Sequence, residues 1–342
     1  MRKGWEYKRW KEVLTIINGK NQSAVVDENG EYPIYGSGGI MGYANNWLCP
    51  ENCVIIGRKG NINKPIFVET KFWNVDTAFG LNANKEYLLP KFLYYFCLDY
   101  NFERHNKAVT IPSLTKADLL KIDIPLPPKS TQLAIVSELD KINELIRLKK
   151  EQLKDFDNLA QSLFYEMFGD PVENEMGWNK MKWKDVLTII NGKNQSAVVD
   201  ENGDYPIYGS GGIMGYANNW LCPEKCTIIG RKGNINKPIF VESKFWNVDT
   251  AFGLKPNIEI LSPRFLFYFC LNYNFERHNK AVTIPSLTKA DLLKIDIPLP
   301  PLPLQRLFAQ RIEQIEREKS EVQKSIQNLE TLQASRMQYW FE

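Results

Sequence analysis

The sequence predicts an α+β protein built from two mixed α/β modules and two long coiled-coil helices. Three observations lead to that expectation. Residues 10–128 recur at 183–301, displaced by 173 positions with no insertion or deletion, and 106 of the 119 paired residues are identical. A proline-rich exit closes each copy, Ile124-Pro125-Leu126-Pro127-Pro128 in the first and Ile297-Pro298-Leu299-Pro300-Pro301 in the second. Beyond each exit the core-type positions settle into a sustained 3-4-3-4 spacing, the period of a helix that packs along another helix.

Length and composition agree. A chain of 342 residues predicts two or more domains, and each copy is long enough to bury its own core. Hydrophobic residues at 44% and aromatics at 12% indicate a folded chain rather than a disordered one. The start, MRKGWEYKRW, has no apolar h-region, and runs such as Phe92–Leu98 fall short of the ~20 residues that span a bilayer. The expectation is a cytoplasmic protein with no membrane partner. A net charge of +3 decides little, because a nucleic-acid binder is marked by clustered charge rather than by its sum.

Within each module the pattern reads as short strands and turns. Val13–Asn18 is a strand or short helix. Tyr32–Tyr35 leads into the glycine-rich turn Gly36-Ser37-Gly38-Gly39. Val54–Gly57 and Pro65–Val68 are strands flanking a polar loop. Pro90–Tyr100 is a helix on aromatic spacing, and Ile111–Ile124 is a helical turn followed by a strand. Proline fixes φ and lacks an N–H, so the exits end regular structure. The first long helix then places Leu139, Ile142, Ile146, Lys149, Leu153, Phe156, Ala160, Leu163 and Met167 on one stripe. The second places Phe308, Ile312, Ile315, Lys319, Val322, Ile326, Leu329, Gln333, Arg336 and Trp340. The 173-residue offset carries Leu139 onto Ile312 and Phe156 onto Leu329, so the heptad frame survives where identity does not. About 38 residues at 1.5 Å each would make a rod of about 57 Å. The alternative is two amphipathic helices lying on their own modules; the narrow stripes, free of Pro and Gly for five turns or more, favour the coiled coil. Gly169-Asp170-Pro171 stops the first helix. The divisions are 1–128, 129–170, 171–301 and 302–342.

The six cysteines form three repeated pairs, Cys49/Cys222, Cys53/Cys226 and Cys97/Cys270. Cys49-Pro-Glu-Asn-Cys53 has the look of half a zinc site. Four ligands are needed, and each module offers one further cysteine and one histidine, His105 or His278. Buried, reduced cysteines are the favoured reading, with no metal.

Gly36-Ser37-Gly38-Gly39-Ile40-Met41-Gly42 lacks the Gly-Lys-Ser/Thr of a phosphate loop and the register of a dinucleotide fold. A tight turn is the plain reading, and close approach of backbone to a ligand the functional one. The loop Gly57-Arg58-Lys59-Gly60-Asn61-Ile62-Asn63-Lys64 says more. Arginine forks suit guanine or phosphate, and amides suit adenine edges. Arg104-His105-Asn106-Lys107 repeats that chemistry, and Lys20-Asn21-Gln22 is a third cluster. Each cluster alone is usually a solvated face. Three of them on glycine-bearing loops, each presented twice, point to nucleic acid. The candidate DNA-binding residues are Lys20, Asn21, Ser37, Arg58, Lys59, Asn61, Asn63, Lys64, Arg104, Asn106 and Lys107. Their twins are Lys193, Asn194, Ser210, Arg231, Lys232, Asn234, Asn236, Lys237, Arg277, Asn279 and Lys280. No Ser–His–acid order stands out, no methyltransferase, helicase or nuclease signature is present, and Asp118 and Asp123 read as cap and strand-edge residues. No catalytic residue is assigned.

Nearly the whole chain resembles the specificity (S) subunit of a type I restriction–modification system. The residues that carry this are Tyr32–Tyr43 (YPIYGSGGIMGY), Ile55–Gly60 (IIGRKG), Phe72–Ala78 (FWNVDTA), Ile111–Leu114 (IPSL), and the Ile-Pro-Leu-Pro-Pro exit followed by Gln132 or Gln305. All occur twice. The resemblance implies two target recognition domains, each reading one half of a split site on double-stranded DNA. It implies that the two long helices pack antiparallel as a spacer. It implies two methyltransferase (M) subunits as partners, which bring S-adenosylmethionine and methylate adenine, with restriction/translocase (R) subunits as optional additions. The S subunit of that family is not an enzyme and carries no cofactor of its own. One departure stands out: family members generally carry two different recognition domains, and these are near-identical. If one helix runs from module one to module two and the other runs back, the chain is pseudo-two-fold symmetric, and identical readers see the same bases on opposite strands. The expected target is an interrupted palindrome. The competing readings are a stand-alone modification enzyme, which would carry its methyltransferase motifs on the same chain, and a scaffold or ligand-binding protein with duplicated domains that does not bind DNA.

Overall fold

The computed structural model describes residues 4–108, 110–279, 281 and 283–341. The chain divides into two compact units, residues 1–150 with 324–342, and residues 151–323. Each unit is one module together with a segment of each long helix.

In the first unit β1 (Glu6–Arg9) leads into a single helical turn, α1 (Trp10–Val13), and then β2 (Leu14–Asn18). Trp10 and Val13 are fully buried and anchor that turn in the core. There follow β3 (Tyr32–Gly36), β4 (Gly39–Ala44), β5 (Cys53–Gly57), β6 (Ile66–Val68), β7 (Trp73–Asn74) and β8 (Ala78–Ala83). Helix α2 (Pro90–Asp99) begins with proline at its first position, where the missing N–H costs nothing. A 3₁₀ turn covers Phe102–His105. Helix α3 (Lys116–Leu119) is capped by the Thr115 hydroxyl, which accepts from the Asp118 N–H. Strand β9 (Asp123–Leu126) then hands the chain to α4 (Lys129–Phe168), 40 residues long.

Three sheets result. The largest runs β2-β8-β5-β6, antiparallel throughout, and the second runs β4-β3-β7, with β7 parallel to β3. The pair β1-β9 ties the start of the module to its exit. Strand β8 sits between β2 and β5 and is buried along almost its whole length. The sequence expectation contains no strand there. Its Gly80 has a packing cause: a Cβ would lie 2.4 Å from the Cys49 sulfur. The glycine-rich stretch expected as a turn is a full hairpin, with β4 as its second strand.

The second unit repeats the order 173 residues on. Its elements are β10 (Lys180–Lys182), α5 (Trp183–Val186), β11 (Leu187–Asn191), β12 (Tyr205–Gly209), β13 (Gly212–Ala217), β14 (Cys226–Gly230), β15 (Ile239–Val241), β16 (Trp246–Asn247), β17 (Ala251–Pro256), α6 (Pro263–Asn272), α7 (Lys289–Leu292), β18 (Asp296–Pro298) and α8 (Leu302–Phe341). Sheet orders match those of the first unit.

Within each unit the segments of α4 and α8 run antiparallel. In the first, Glu138 takes Arg336 and the Trp340 indole (3.0 Å), Asn143 takes Gln333 (2.6 Å), and Lys150 pairs with Glu330 (2.8 Å). In the second, Lys319 pairs with Asp157. Every stripe position expected from the heptad spacing is buried or half-buried, the polar Lys149 and Lys319 included. The modules seat on the helices through a buried glutamine. Gln132, fully buried, accepts from the Leu89 N–H (2.9 Å) and donates to the carbonyls of Tyr87 and Pro127 (both 2.9 Å). Gln305 makes the same three bonds to Ser262, Ile260 and Pro300.

Charged latches reinforce this seat, and they differ between units. Lys91 reaches Asp140 of α4 (2.9 Å), which also accepts from the Tyr95 hydroxyl (2.6 Å). At the twin position Arg264 forks onto Glu316 of α8 (2.8 and 2.7 Å), pairs with Glu242 and lies 4.0 Å over the Phe240 ring.

Candidate nucleic-acid interface

The site begins with the hairpin β3/β4. Its tip, Ser37-Gly38, lies against the loop that follows β5: a Cβ on Gly60 would sit 3.6 Å from the Ser37 hydroxyl, and one on Gly38 would sit 3.7 Å from the Asn61 amide. Gly60 has φ +83°, a conformation that favours glycine and lets Arg58-Lys59 turn back. Backbone bonds hold this loop on two sides. The Arg58 N–H donates to the Thr77 carbonyl (2.8 Å), and the Gly60 N–H donates to the Pro112 carbonyl (2.9 Å), with Lys59 bridging to Ser113.

Two amides fasten the neighbouring segment. The Asn63 side chain donates to Asn101 (3.2 Å) and accepts from the Phe102 N–H (2.8 Å), joining the loop to the 3₁₀ turn. The Asn106 side chain accepts from the N–H groups of Ala108 and Ser113 (both 3.0 Å). Lys107 pairs with Asp118 (2.6 Å), whose carboxyl is held well below the usual range by hydrogen bonds from Lys107, Thr115 and Lys121. Asn63, Asn106 and Lys107 are therefore engaged in shaping the platform. Asp118 is the cap-region residue expected, and Asp123 opens β9 opposite Arg9.

The structure thus brings together stretches far apart in sequence: the hairpin tip, the Arg58–Lys64 loop, and residues 104–108 with 110–113. Lys59, Asn61, Lys64 and Arg104 are exposed on it. Arg58 is half-buried, its guanidinium 5.7 Å from the Phe79 ring. Lys20 and Asn21 follow β2, beside β7: the Lys20 carbonyl accepts from the Trp73 indole (3.0 Å), and the Asn21 side chain accepts from the Ser23 N–H (2.7 Å).

The second unit reproduces the platform. Ser210 packs near Gly233, Arg231 lies 5.7 Å from Phe252, Asn236 bonds Asn274 and Phe275, and Asn279 accepts from Ser286. Lys193, Asn194, Lys232, Asn234, Lys237 and Arg277 are exposed. Lys280 lies outside the described residues.

Apolar residues on the same platform escaped the sequence reasoning. Ile40 (57% exposed), Met41 (61%) and Ile111 (61%) stand open, as do Ile213, Met214 and Ile284. The available signal was Ile40-Met41 itself, an apolar pair flanked by glycines with no alternation to bury it.

The cysteines lie elsewhere. All six are buried and free, and the Cys49 thiol donates to the Asn74 side chain (3.1 Å). Burial pushes the Cys53 and Cys226 thiols up to about 12.

One loop platform, built twice on two independent cores, defines a recognition protein with two like heads. Comparison with known proteins narrows the class. The model of the type I restriction modification DNA specificity domain matches residues 2–155 and 175–331. A putative type I restriction enzyme specificity subunit of Haemophilus influenzae is 24% identical, covering 91% of this chain and 87% of the relative. The MjaVIII specificity subunit of Methanocaldococcus jannaschii is also 24% identical, over 94% and 90%. The solved S subunit of the type I restriction–modification system from M. genitalium superposes with TM-score 0.67 at 17% identity, over 99% of this chain and 96% of that one. The chain belongs to the type I restriction–modification specificity subunits, with two target recognition domains.

Proposed function

We propose that the protein reads an interrupted palindrome in double-stranded DNA, the same short half-site inverted across a nonspecific spacer. The observation that carries this reading is where the two copies differ. Of the 13 unlike pairs, eight fall between positions 82 and 99 of the first copy, and none falls on a candidate DNA-binding residue. Those eight include Leu89, Lys91 and Tyr87, which meet the helix through Gln132 and Asp140. The face toward the helices has diverged while the loop platform has not. A requirement that both platforms read the same bases accounts for that contrast.

The protein acts by binding and positioning. The exposed cations of each platform neutralise phosphates, which holds each module in register. Arg58 and Arg231, braced over Phe79 and Phe252, are best placed for a bidentate contact to guanine. Two M subunits dock along the helices and supply S-adenosylmethionine and adenine methylation. The exposed Leu133, Leu145 and Leu148 of α4 offer apolar ground for such a partner. R subunits join where the host encodes them. This chain itself performs no chemistry and works in the cytoplasm beside its DNA. Methylome sequencing of a host carrying this subunit tests the reading. A bipartite motif with identical inverted halves is expected; an asymmetric motif overturns it.

A further inference from the structure

We propose that the β3/β4 hairpin of each module reads a thymine methyl group, with Ile40 and Met41 (Ile213 and Met214 in the second module) as the apolar contacts. This rests on the DNA-recognition reading and deepens it. The sequence places two large apolar residues in succession on a strand, where alternation should send one inward. The structure sends both outward by a bulge. Ile34 pairs with Gly42 and Tyr35 with Ile40, which leaves Met41 as the extra residue. The second module repeats the register shift, with Ile207 opposite Gly215 and Tyr208 opposite Ile213. Bulges re-aim side chains and recur beside functional sites.

Met41 leans back across the bulge onto the bare Gly36 backbone: its sulfur lies 2.6 Å from where a Cβ on Gly36 would stand, and Gly209 and Met214 repeat this at 2.6 Å. Strand β4 has β3 on one side, and on its other side only a bridge from Val26 at Ala44, three residues beyond Met41, so the Ile40–Met41 end is an open edge. The major groove admits a two-stranded ribbon of this kind. The turn Gly36–Gly42 carries no charge of its own, whereas the loop packed against its tip carries Arg58, Lys59 and Lys64. An uncharged apolar strand end with these cations on the adjoining loop suits a groove walled by phosphates. The one apolar feature that a base edge offers in the major groove is the thymine methyl.

The test uses the full-length protein, alone and with its methyltransferase subunits, and duplexes bearing the motif found by methylome sequencing. Deoxyuridine replaces thymidine position by position, which deletes the methyl and leaves base pairing intact. Loss of one buried methyl should weaken binding about fourfold per half-site, and about tenfold or more when both halves are changed. The variant carrying Ile40→Ala, Met41→Ala, Ile213→Ala and Met214→Ala should bind the thymidine target more weakly and lose its sensitivity to deoxyuridine. The deoxyuridine series on the unaltered protein does not depend on how that variant folds. Specific binding indifferent to deoxyuridine at every position overturns the proposal and leaves the DNA-recognition reading standing. Indifference accompanied by brightening of 2-aminopurine in the half-site would replace methyl contact by insertion between bases. Absence of specific binding to any duplex removes the DNA-recognition reading itself.

Discussion

Replacing Gln132 by leucine tests how each module is joined to its helix. The side chain is fully buried and makes three hydrogen bonds, to the Leu89 N–H and to the carbonyls of Tyr87 and Pro127. Leucine keeps nearly the same volume, so cavity cost is small and the polar loss dominates. Three neutral bonds at about 1 kcal/mol each give roughly 3 kcal/mol. The Pro127 carbonyl bond is wholly buried, and its loss orphans an acceptor, adding about 1 kcal/mol. The added apolar surface returns part of this, so the expected net is about 3 kcal/mol. With a urea slope of about 2 kcal/mol/M, the unfolding midpoint of the first unit should fall by about 1.5 M. Urea unfolding followed by hydrogen exchange assigns the change to a unit. The second unit has its own core and should keep its midpoint, since distant sites act independently. Gln305→Leu should give the mirror result. A midpoint change below about 0.3 M in both variants would refute the idea that these amides fasten the modules.

Four other outcomes follow from the same structure. Thr227 in β14 buries a hydroxyl without a partner where the first copy has Val54, so Thr227→Val should stabilise the second unit by about 1 kcal/mol; a lowered melting temperature would contradict this. Asp118 has its carboxyl depressed below the unfolded range, chiefly by Lys107; its stabilisation is complete above about pH 4 and lost as pH falls below that, so Asp118→Asn should flatten the acid limb of a stability–pH profile, and an unchanged limb would count against the pair. Arg58→Ala with Arg231→Ala should relax sequence choice in a selection from random duplexes, whereas a uniform loss of affinity would mean that these residues touch only phosphate. The six buried thiols should resist a thiol reagent at pH 8 in the native protein and react in full once it is unfolded; a fast native phase would mean that a cysteine is more open than the structure has it.

Much of the architecture was legible because it rests on periodicity. The heptad stripe from Leu139 to Met167 needs only the chain's own spacing, and each of its positions is buried or half-buried. Proline at Pro90 and the threonine cap at Thr115 likewise announce their helices locally. Strand β8 was not legible. Ala78–Ala83 is covered on both faces, so it has no alternation, and its Gly80 is explained by a sulfur 31 positions away in sequence. The hairpin failed for a related reason. Its glycines read as a turn, and the bulge at Met41 removes the period that would have marked a strand. For the site, residue types pointed to the polar loops but could not separate contact from scaffold. Asn61 and Asn63 stand two residues apart with the same chemistry, yet Asn63 is bonded to Asn101 and Phe102. That assignment depends on partners 38 and 39 residues distant.

The two latches show why the copies differ where they do. Lys91 meets Asp140, one turn before Asn143 on α4. In the second unit the position equivalent to Asn143 is Glu316, and Arg264 takes it with both guanidinium arms. A lysine is a point charge and is served by one carboxylate; an arginine fork needs a carboxylate set for two parallel bonds. Module and helix have therefore changed together, each pair remaining matched. Such matched change is open to a surface whose partner lies on the same chain, because a second substitution in that chain can restore the fit. It is closed to a surface whose partner is outside the chain and presents the same chemistry to both modules. If both modules read the same half-site, as proposed, the hairpin tip and the Arg58–Lys64 loop carry the second kind of constraint, in keeping with their identity between copies while the helix-facing side drifted.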